Sequence, residues 1–299
     1  MKAKKMKKAI SPLSMIIFLL LAFYFLTIVL TTMWLLSTTL KSATEYHLGT
    51  PTSGKNQLWF PESGITFENF VKAYTYFTVP VPNGDDVDII GQFGNSLLFS
   101  LGCAFTTTMA SLVMGYATAR FRYKFSGYIY TFVLVTLALP IVGALPSEIR
   151  VAKQLNIFDT FPGIWIMRAT FLNTYFLIFY AQFKMIPKDY TEAAKIDGAS
   201  PAAIMTKIIV PLASTTTSTV FVLLFIGYWN DFQVPMIYLE SHPVAAYGMY
   251  KFINFPTNEL NRVPYQLAGI VIMASPIVVF YAIFNQKLTV NLSIGGIKG

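Results

Sequence analysis

Charged residues are scarce in this sequence of 299 residues. They make up 12% of the chain, whereas a soluble domain carries roughly 25%. Apolar residues reach 55%, aromatic residues reach 16%, and the mean hydropathy is +0.55. This composition excludes an ordinary soluble protein and is typical of a helical protein that is exposed to lipid.

Cysteine and histidine are nearly absent. The single cysteine, Cys103, excludes an internal disulfide and a cysteine-based metal cluster. Both histidines, His47 and His242, lie between the apolar stretches and have no paired ligands in the sequence. We therefore expect neither a metal site nor a catalytic base, and a membrane protease with serine and histidine inside the spans is excluded.

The sequence contains several long apolar runs. Because a helix of about 20 residues crosses a hydrocarbon core of about 30 Å, six stretches are predicted to span a membrane. They are residues 15–36, 96–116, 128–145, 163–183, 212–234 and 266–286. We expect an all-α integral membrane protein in which residues 1–299 form a single domain, with the first stretch retained as a signal anchor.

The positive charges are distributed unevenly between the segments that connect these stretches. If the N-terminus is cytoplasmic, the inner segments 1–13, 117–127, 184–211 and 287–299 hold 14 Lys and Arg and three acidic residues. The outer segments 37–90, 146–162 and 235–265 hold seven basic and ten acidic residues. Since lysine and arginine are retained on the cytoplasmic side of short loops, we expect both termini to be cytoplasmic. The basic surplus then reflects orientation and not nucleic-acid binding.

One outer segment, residues 41–90, is long and polar. It contains proline, glycine and an acidic cluster, Asp85, Asp86 and Asp88, which favour irregular structure. Residues 65–71 within it have the pattern of an amphipathic turn or short helix. The sequence assigns no role to this outer loop.

The polar segment of residues 187–211 is predicted to form two short helices around a turn. Pro187 is suited to open the first helix, and Gly198 is suited to end it in a left-handed cap. Ser200 is suited to cap the second helix, with Pro201 at its first position. A protruding pair of helices fits a docking site for another protein, although an ordinary amphipathic loop between two spans has the same spacing.

This segment carries a recognisable motif, E-A-A-x-x-x-G-A, from Glu192 to Ala199, followed by Ile208 and Pro211. With it the sequence resembles the permeases of ATP-binding-cassette (ABC) importers. Three further features narrow the resemblance to the carbohydrate uptake family and its maltose-type smaller permeases. These features are Ile186-Pro187, the run Gly227-Tyr228-Trp229-Asn230-Asp231-Phe232 with Pro235, and the C-terminal Gly295-Gly296-Ile297-Lys298-Gly299.

The resemblance implies a fold, partners and site residues. The fold is the type I importer permease (MetI-like) fold in a bacterial cell membrane. The partners are a second, distinct permease, an ATPase homodimer, an extracellular or periplasmic solute-binding protein, and membrane lipid. Residues 187–211 correspond to the coupling loop of this family, and the residues implied to contact the ATPase are Glu192, Ala193, Ala194, Asp197, Gly198, Ala199 and Pro211, together with Gly295, Gly296 and Lys298 of the tail.

The absence of a phosphate loop agrees with this interpretation. The sequence contains no G-x-x-x-x-G-K-[ST] motif, so the energy source is expected to be another polypeptide. The chain is therefore expected to be a transport subunit and not an enzyme, with no cofactor of its own. ATP and Mg²⁺ are expected on the partner ATPase.

Polar residues near the predicted spans are candidates for a sugar path. Trp229, Asn230 and Asp231 offer stacking and hydrogen bonding to a sugar, although aromatic residues also anchor helices at interfaces. Asn173 and Tyr175 either face the path or bond between helices. The competing hypothesis is a secondary transporter driven by an ion gradient. Such a carrier usually has more spans, ionisable groups near the bilayer midplane or paired broken helices.

Overall fold

A computed structural model describes residues 11–48, 59–82, 84–121, 125–139, 143–255 and 262–294. Most of the described residues are helical. In chain order the helices are α1 Pro12–Thr39, α2 Ala43–Leu48, α3 Glu68–Tyr76, α4 Ile89–Arg120, α5 Ser126–Ala138, α6 Leu145–Gln154, α7 Phe161–Arg168, α8 Thr174–Met185, α9 Asp189–Ile196, α10 Pro201–Ile204, α11 Val210–Leu212, α12 Ser214–Trp229, α13 Gln233–Tyr238, α14 Ala245–Asn254 and α15 Val263–Ile294. A π-helical turn, Met205–Ile209, joins α10 to α11, and an antiparallel bridge pairs Val79 with Val87.

The chain divides into two compact units. The first comprises residues 1–76 and 255–272, and the second comprises residues 77–254 and 273–299. Helix α15 begins in the first unit and continues in the second, with Pro276 inside it.

Helix α1 dominates the first unit. Its N-terminus is capped by Ser11, whose side chain accepts a hydrogen bond from the Ser14 amide, and Pro12 occupies the first helical position. Large apolar side chains along the helix are exposed, for example Phe18 and Phe25 at 68% each. A continuous apolar surface of this kind is what lipid covers in a membrane helix.

A polar cluster lies in the outer loop beyond α1. The Asn69 amide donates to the carbonyl oxygens of Thr39 and Lys41, both at 2.6 Å. The Glu45 carboxylate accepts hydrogen bonds from the Glu62 amide at 2.9 Å and from the amide and hydroxyl of Ser63. Burial by itself raises the pKa of Glu45, but the bonds from Ser63 and Glu62 and the charge of Lys41 together lower it. The hydrogen bonds of this cluster therefore favour the ionised form of Glu45.

Helix α4 forms the centre of the second unit. The Asp88 side chain caps it by accepting from the Gly91 amide at 2.8 Å. It packs against α7, α8, α12 and α14, and Gly115 permits one of these contacts, because a Cβ there would lie 2.8 Å from Phe179 Cβ on α8. Close helix contact through small residues is typical of membrane proteins.

The predicted spans agree with the structure to different degrees. Helices α1 and α4 are long and apolar enough to cross a membrane. The helical segments Pro201–Leu212 and Ser214–Trp229 meet at an angle of 75°, and they make a third candidate span if they are counted as one. Helix α5 and the part of α15 from Val263 to Val279 are shorter apolar helices. The total of six spans stays a prediction.

The fourth predicted span is not one continuous helix, and in this respect the expectation for 163–183 is wrong. Helix α7 ends at Arg168 and α8 begins at Thr174. Between them the Thr170 hydroxyl accepts from the Leu172 amide at 3.2 Å, and Asn173 Oδ1 accepts from the Phe176 amide at 3.1 Å. Such local bonds from side chain to backbone compete with helix formation. The third predicted span also ends earlier, at Ala138 instead of residue 145.

Candidate functional site

The coupling loop, residues 187–211, has the two short helices that the sequence predicts. Helix α9 occupies residues Asp189–Ile196, two residues after Pro187. Ser200 caps α10 by accepting from the Ala203 amide at 3.2 Å, and Pro201 is its first residue. The cap and the proline are confirmed at the predicted positions.

Gly198 ends α9 with a left-handed backbone conformation, at φ +77°. The Ala199 amide donates to the Ala194 carbonyl at 2.9 Å, and the Gly198 amide donates to the Lys195 carbonyl at 3.1 Å. This pair of bonds defines a Schellman motif, in which glycine is preferred because it has no Cβ. The predicted left-handed cap at Gly198 is thus confirmed.

The two faces of α9 differ in exposure. Glu192 and Ala193 are exposed, and the Ile196 side chain is 87% exposed. Ala194, in contrast, is buried at 6%. An exposed isoleucine beside a carboxylate and a small residue forms a protruding surface that a partner protein can cover.

The buried face connects α9 to the core of the second unit. Ala194, Ile204 and Ile209 belong to one apolar cluster with Leu112 and Tyr116 of α4. The same cluster contains Phe179 and Phe183 of α8, Ala213, and Val220, Leu224, Phe225 and Trp229 of α12. Because packed interiors transmit displacement, a movement of the coupling loop reaches α4, α8 and α12 directly.

Pro211 lies in α11, just before the bend. The π-helical turn Met205–Ile209 precedes α11, and Ala213 separates α11 from α12. The 75° bend between α10–α11 and α12 occurs here. Proline and π-turns are common causes of such bends.

Asn173 is engaged in bonds within the protein. Its Oδ1 accepts from the Phe176 amide and, at 3.1 Å, from the Ser111 hydroxyl of α4. Its Nδ2 donates to the Thr170 carbonyl at 2.9 Å. The structure therefore supports the interhelical alternative for Asn173, while Tyr175 is half-buried and packs against the apolar cluster.

The three residues at the end of α12 have different environments. The Trp229 ring is 3% exposed and lies near Phe93 and Phe225, with ring centroids 6.2 and 5.9 Å away. The Asp231 carboxylate accepts from the amides of Gln233 and Val234 at 3.0 and 3.2 Å, which caps α13. Asn230 is exposed, and its Nδ2 donates to the Ile226 carbonyl at 2.8 Å.

A hydroxyl pair on α4 joins these regions and was not singled out from the sequence. The Thr107 hydroxyl donates to the Arg168 carbonyl at 2.8 Å and shares a hydrogen bond of 3.0 Å with Tyr228. Ser111, one turn further, bonds Asn173. The sequence did contain a signal for this pair. Thr107 and Ser111 are four residues apart, which places both hydroxyls on one face of an apolar helix.

The structure brings together segments that are predicted to lie on the same side of the membrane. Between two segments predicted to be inner, the Arg120 guanidinium donates to the Pro187 carbonyl at 3.4 Å. Between two segments predicted to be outer, the Tyr238 hydroxyl donates to Glu148 Oε2 at 2.8 Å, and the Ser241 amide donates to Asp159 at 3.0 Å. The tail residues Gly295, Gly296 and Lys298 lie outside the described residues.

Comparison with known proteins gives consistent matches. Residues 108–288 match the family described as binding-protein-dependent transport system inner membrane component. The trehalose transport system permease protein SugB of Mycobacterium tuberculosis is 28% identical over 274 residues, covering 89% of this chain and 91% of the relative. The trehalose/maltose transport system permease protein MalG of Thermococcus litoralis is 25% identical, with 78% and 82% covered.

Two further matches agree with these. The arabinooligosaccharides transport system permease protein AraQ of Halalkalibacterium halodurans is 25% identical, with 81% of this chain and 83% of the relative covered. A crystal structure of a bacterial ABC transporter involved in the import of the acidic polysaccharide alginate matches with a TM-score of 0.75. That match has 19% sequence identity and covers 92% of this chain and 95% of the other. It confirms the importer-permease fold.

The family match covers more than half of the 299 residues and includes α8, the coupling loop and α12. It decides between an ABC importer and a carrier driven by an ion gradient. The chain belongs to the family of binding-protein-dependent transport system inner membrane components and is a membrane permease subunit of an ABC importer.

Proposed function

We propose that this chain forms half of the translocation path for a sugar or oligosaccharide that a solute-binding protein delivers. A second, distinct permease forms the other half. An ATPase homodimer docks on the coupling loop and hydrolyses ATP with Mg²⁺, so this chain itself holds no cofactor. The carbohydrate assignment is supported by relatives named for trehalose, maltose and arabinooligosaccharide transport.

The observation that carries the proposal is the two-sided construction of α9. Its outer face presents Glu192, Ala193 and the exposed Ile196, and its inner face inserts Ala194 into the core of the second unit. Asp197, Gly198 and Ala199 fix the turn, and Pro211 fixes the bend. A partner that moves the outer face therefore moves α4, α8 and α12, which is the requirement for coupling ATP hydrolysis to transport.

The orientation follows from charge and contact. Inner segments 117–127 and 184–211 meet at Arg120 and Pro187, and the inner segments hold twice as many basic residues as the outer ones. We propose that both termini and the coupling loop are cytoplasmic, as the retention of positive charge predicts. The tail residues Gly295, Gly296 and Lys298 then reach the same ATPase from the cytoplasmic side.

Among the candidate path residues, Asn230 is the one that we assign to direct contact with sugar. Its side chain is exposed and retains hydrogen-bonding capacity beyond the bond to Ile226. Trp229 belongs to the apolar cluster, and Tyr175 packs against that cluster. Asn173 and Asp231 hold the ends of α8 and α13 in place.

The test separates ATPase docking from sugar transport. Glu192→Lys and the control Glu240→Lys make the same charge change at exposed positions, on the proposed inner and outer sides respectively. The tagged chain is purified from membranes and copurified ATPase is measured. Uptake of labelled trehalose, maltose and arabinooligosaccharide is measured in cells.

We expect Glu192→Lys to lose the ATPase and all uptake, while Glu240→Lys retains both. Equal ATPase recovery in the two variants would refute docking through α9. If the wild type recovers the ATPase normally but takes up none of the sugars, the carbohydrate assignment is refuted and docking through α9 is not.

A further inference from the structure

A basic cleft lies along the coupling loop and is bordered by α9, including Glu192. Its volume is about 770 Å³, and it is formed where the ends of α4 and α8 meet the start of α9. The lining residues that determine its chemistry are Arg120, Phe121, Tyr180, Lys184, Lys188 and Lys195.

The charge of this basic cleft is unbalanced. Among the residues that the structure describes, four cations and one carboxylate, Glu192, line it. Among the described residues none of the four cations forms an ion pair, although Arg120 donates to the Pro187 carbonyl and Lys184 lies over the Tyr180 ring. Four clustered cations with one carboxylate leave a net positive charge, and a bound anion relieves the repulsion among the cations.

Two polar atoms at the basic cleft also lack partners among the described residues. Arg120 Nε and Thr191 Oγ1 are buried and make no hydrogen bond. Buried donors are normally satisfied, and both groups can donate to an oxygen anion. Phosphate oxygens suit such a set of guanidinium, ammonium and hydroxyl donors.

An apolar groove begins next to the basic cleft. Ser126, the first residue of α5, lines the cleft, whereas the preceding residue Phe125 lines the groove. The groove then follows one face of α5 and reaches Phe171, with a volume of about 520 Å³. Phe125, Tyr128 and Phe132 are 67%, 73% and 55% exposed. Its lining is Phe125, Tyr128, Ile129, Thr131, Phe132, Val135 and Phe171.

We propose that the basic cleft and the apolar groove together bind one anionic phospholipid. The phosphate of the headgroup lies among Arg120, Lys184 and Lys188, and an acyl chain lies along α5. The basic cleft is at the end of a membrane-spanning helix, α4, where headgroups are located. A free phosphate or a soluble nucleotide would leave the apolar groove uncovered, which favours the lipid.

This site is independent of the sugar assignment. It rests only on insertion of the chain in a membrane, and it gives lipid composition a direct route to the coupling loop. Lys188 immediately precedes α9, so an occupied site restrains the start of this helix.

The test uses the complete importer purified in mild detergent, with native mass spectrometry of retained phosphatidylglycerol. The variant Lys184→Gln with Lys188→Gln is compared with the control Lys153→Gln with Lys251→Gln. The control is matched, because Lys184 and Lys153 both lie over aromatic rings, at 4.7 and 4.6 Å from the centroids. Phosphatidylcholine, glycerol phosphate and inorganic phosphate are added as competitors, and ATPase copurification is followed in parallel.

We expect the wild type and the control to retain phosphatidylglycerol, and the cleft variant to retain it about 25-fold more weakly, because each of the two removed cations contributes about a fivefold factor. Competition by either soluble phosphate compound at equal concentration would overturn the lipid assignment, and competition by phosphatidylcholine would overturn the requirement for an anionic headgroup. Equal retention by cleft and control variants would overturn the site. Loss of the ATPase from the cleft variant, with phosphatidylglycerol retained, would assign the basic cleft to the ATPase interface instead.

Discussion

Replacement of Gly198 by alanine tests whether the turn after α9 sets the geometry for coupling. Gly198 has φ +77°, and an added Cβ would meet no atom within 4 Å. The substitution therefore introduces no collision, and its cost is the backbone conformation alone. A residue other than glycine in the left-handed region costs roughly 1–2 kcal/mol.

This free-energy cost lowers the population of the docking conformation. A difference of about 1–2 kcal/mol reduces the population of the docking conformation, relative to relaxed turns, by roughly fivefold to thirtyfold. The apparent affinity for the ATPase should fall by up to the same factor. Gly198→Asn should lose much less, because asparagine tolerates the left-handed region better than alanine.

The assay is titration of the purified ATPase against the membrane-reconstituted permease, together with transport-coupled hydrolysis. Gly127→Ala is the matched control, because an added Cβ at Gly127 also meets nothing within 4 Å and Gly127 has no positive φ. Equal affinities for Gly198→Ala and Gly198→Asn would refute the reasoning, since the backbone would then not be the cause.

Three further predictions follow from hydrogen bonds described above. Asn173→Ala should destabilise the purified protein by about 0.5–2 kcal/mol through loss of the α8 cap, whereas Asn173→Asp should keep the cap, as measured by thermal unfolding in detergent. The pKa of Glu45 is lowered in the folded protein. Its contribution to stability is therefore present above its ordinary pKa and disappears as the pH falls through the lowered value. Glu45→Gln should accordingly flatten the acid limb of a profile of unfolding free energy against pH. Burial and the bond to Glu148 raise the pKa of Tyr238 to about 12. The contribution of Tyr238 to stability is therefore complete below its ordinary pKa and is lost as the pH rises through about 12. Near neutral pH, Tyr238→Phe should lower the free energy of unfolding by about 1 kcal/mol.

Each of these predictions has a control. Asn230→Ala is the control for Asn173, because its side chain is exposed and bonds only Ile226 in the described structure, and equal destabilisation by both would contradict the cap. An unchanged acid limb in Glu45→Gln would show that Glu45 titrates normally. Glu148→Gln should cost less than Tyr238→Phe, since the amide oxygen still accepts the hydroxyl hydrogen, and the opposite order would contradict the assigned bond.

The coupling loop could be predicted from the sequence because its determinants are local. Gly198, Ser200 and Pro201 act within a few residues through caps and fixed dihedral angles, and the structure places them as expected. The outer segment 65–71 overlaps α3 for a similar reason, since its pattern is amphipathic.

The break between α7 and α8 could not be predicted in this way. Residues 163–183 are apolar enough for one helix, and Asn173 by itself is compatible with a helix interior that bonds a neighbour. What ends the helix is local capping supported by Ser111, which is 62 residues away in the sequence. Hydropathy measures transfer to lipid and contains no information on such distant partners.

The sequence was also unable to distinguish between the three candidate residues at the end of α12. Tryptophan, asparagine and aspartate in succession are all able to bind sugar, so the sequence treats Trp229, Asn230 and Asp231 alike. The structure separates them, because Phe93 of α4 covers Trp229 and the α13 backbone engages Asp231. Only Asn230 keeps an exposed side chain.

The hydroxyls of Thr107 and Ser111 meet both edges of the α7–α8 break at once. One inserted residue between them would rotate Ser111 by about 100° around the α4 axis, and Thr107 and Ser111 could no longer reach Arg168 and Asn173 together. An insertion in the outer loop 41–90 alters neither distance. Changes of length during evolution should therefore accumulate in that loop and be excluded from the middle of α4.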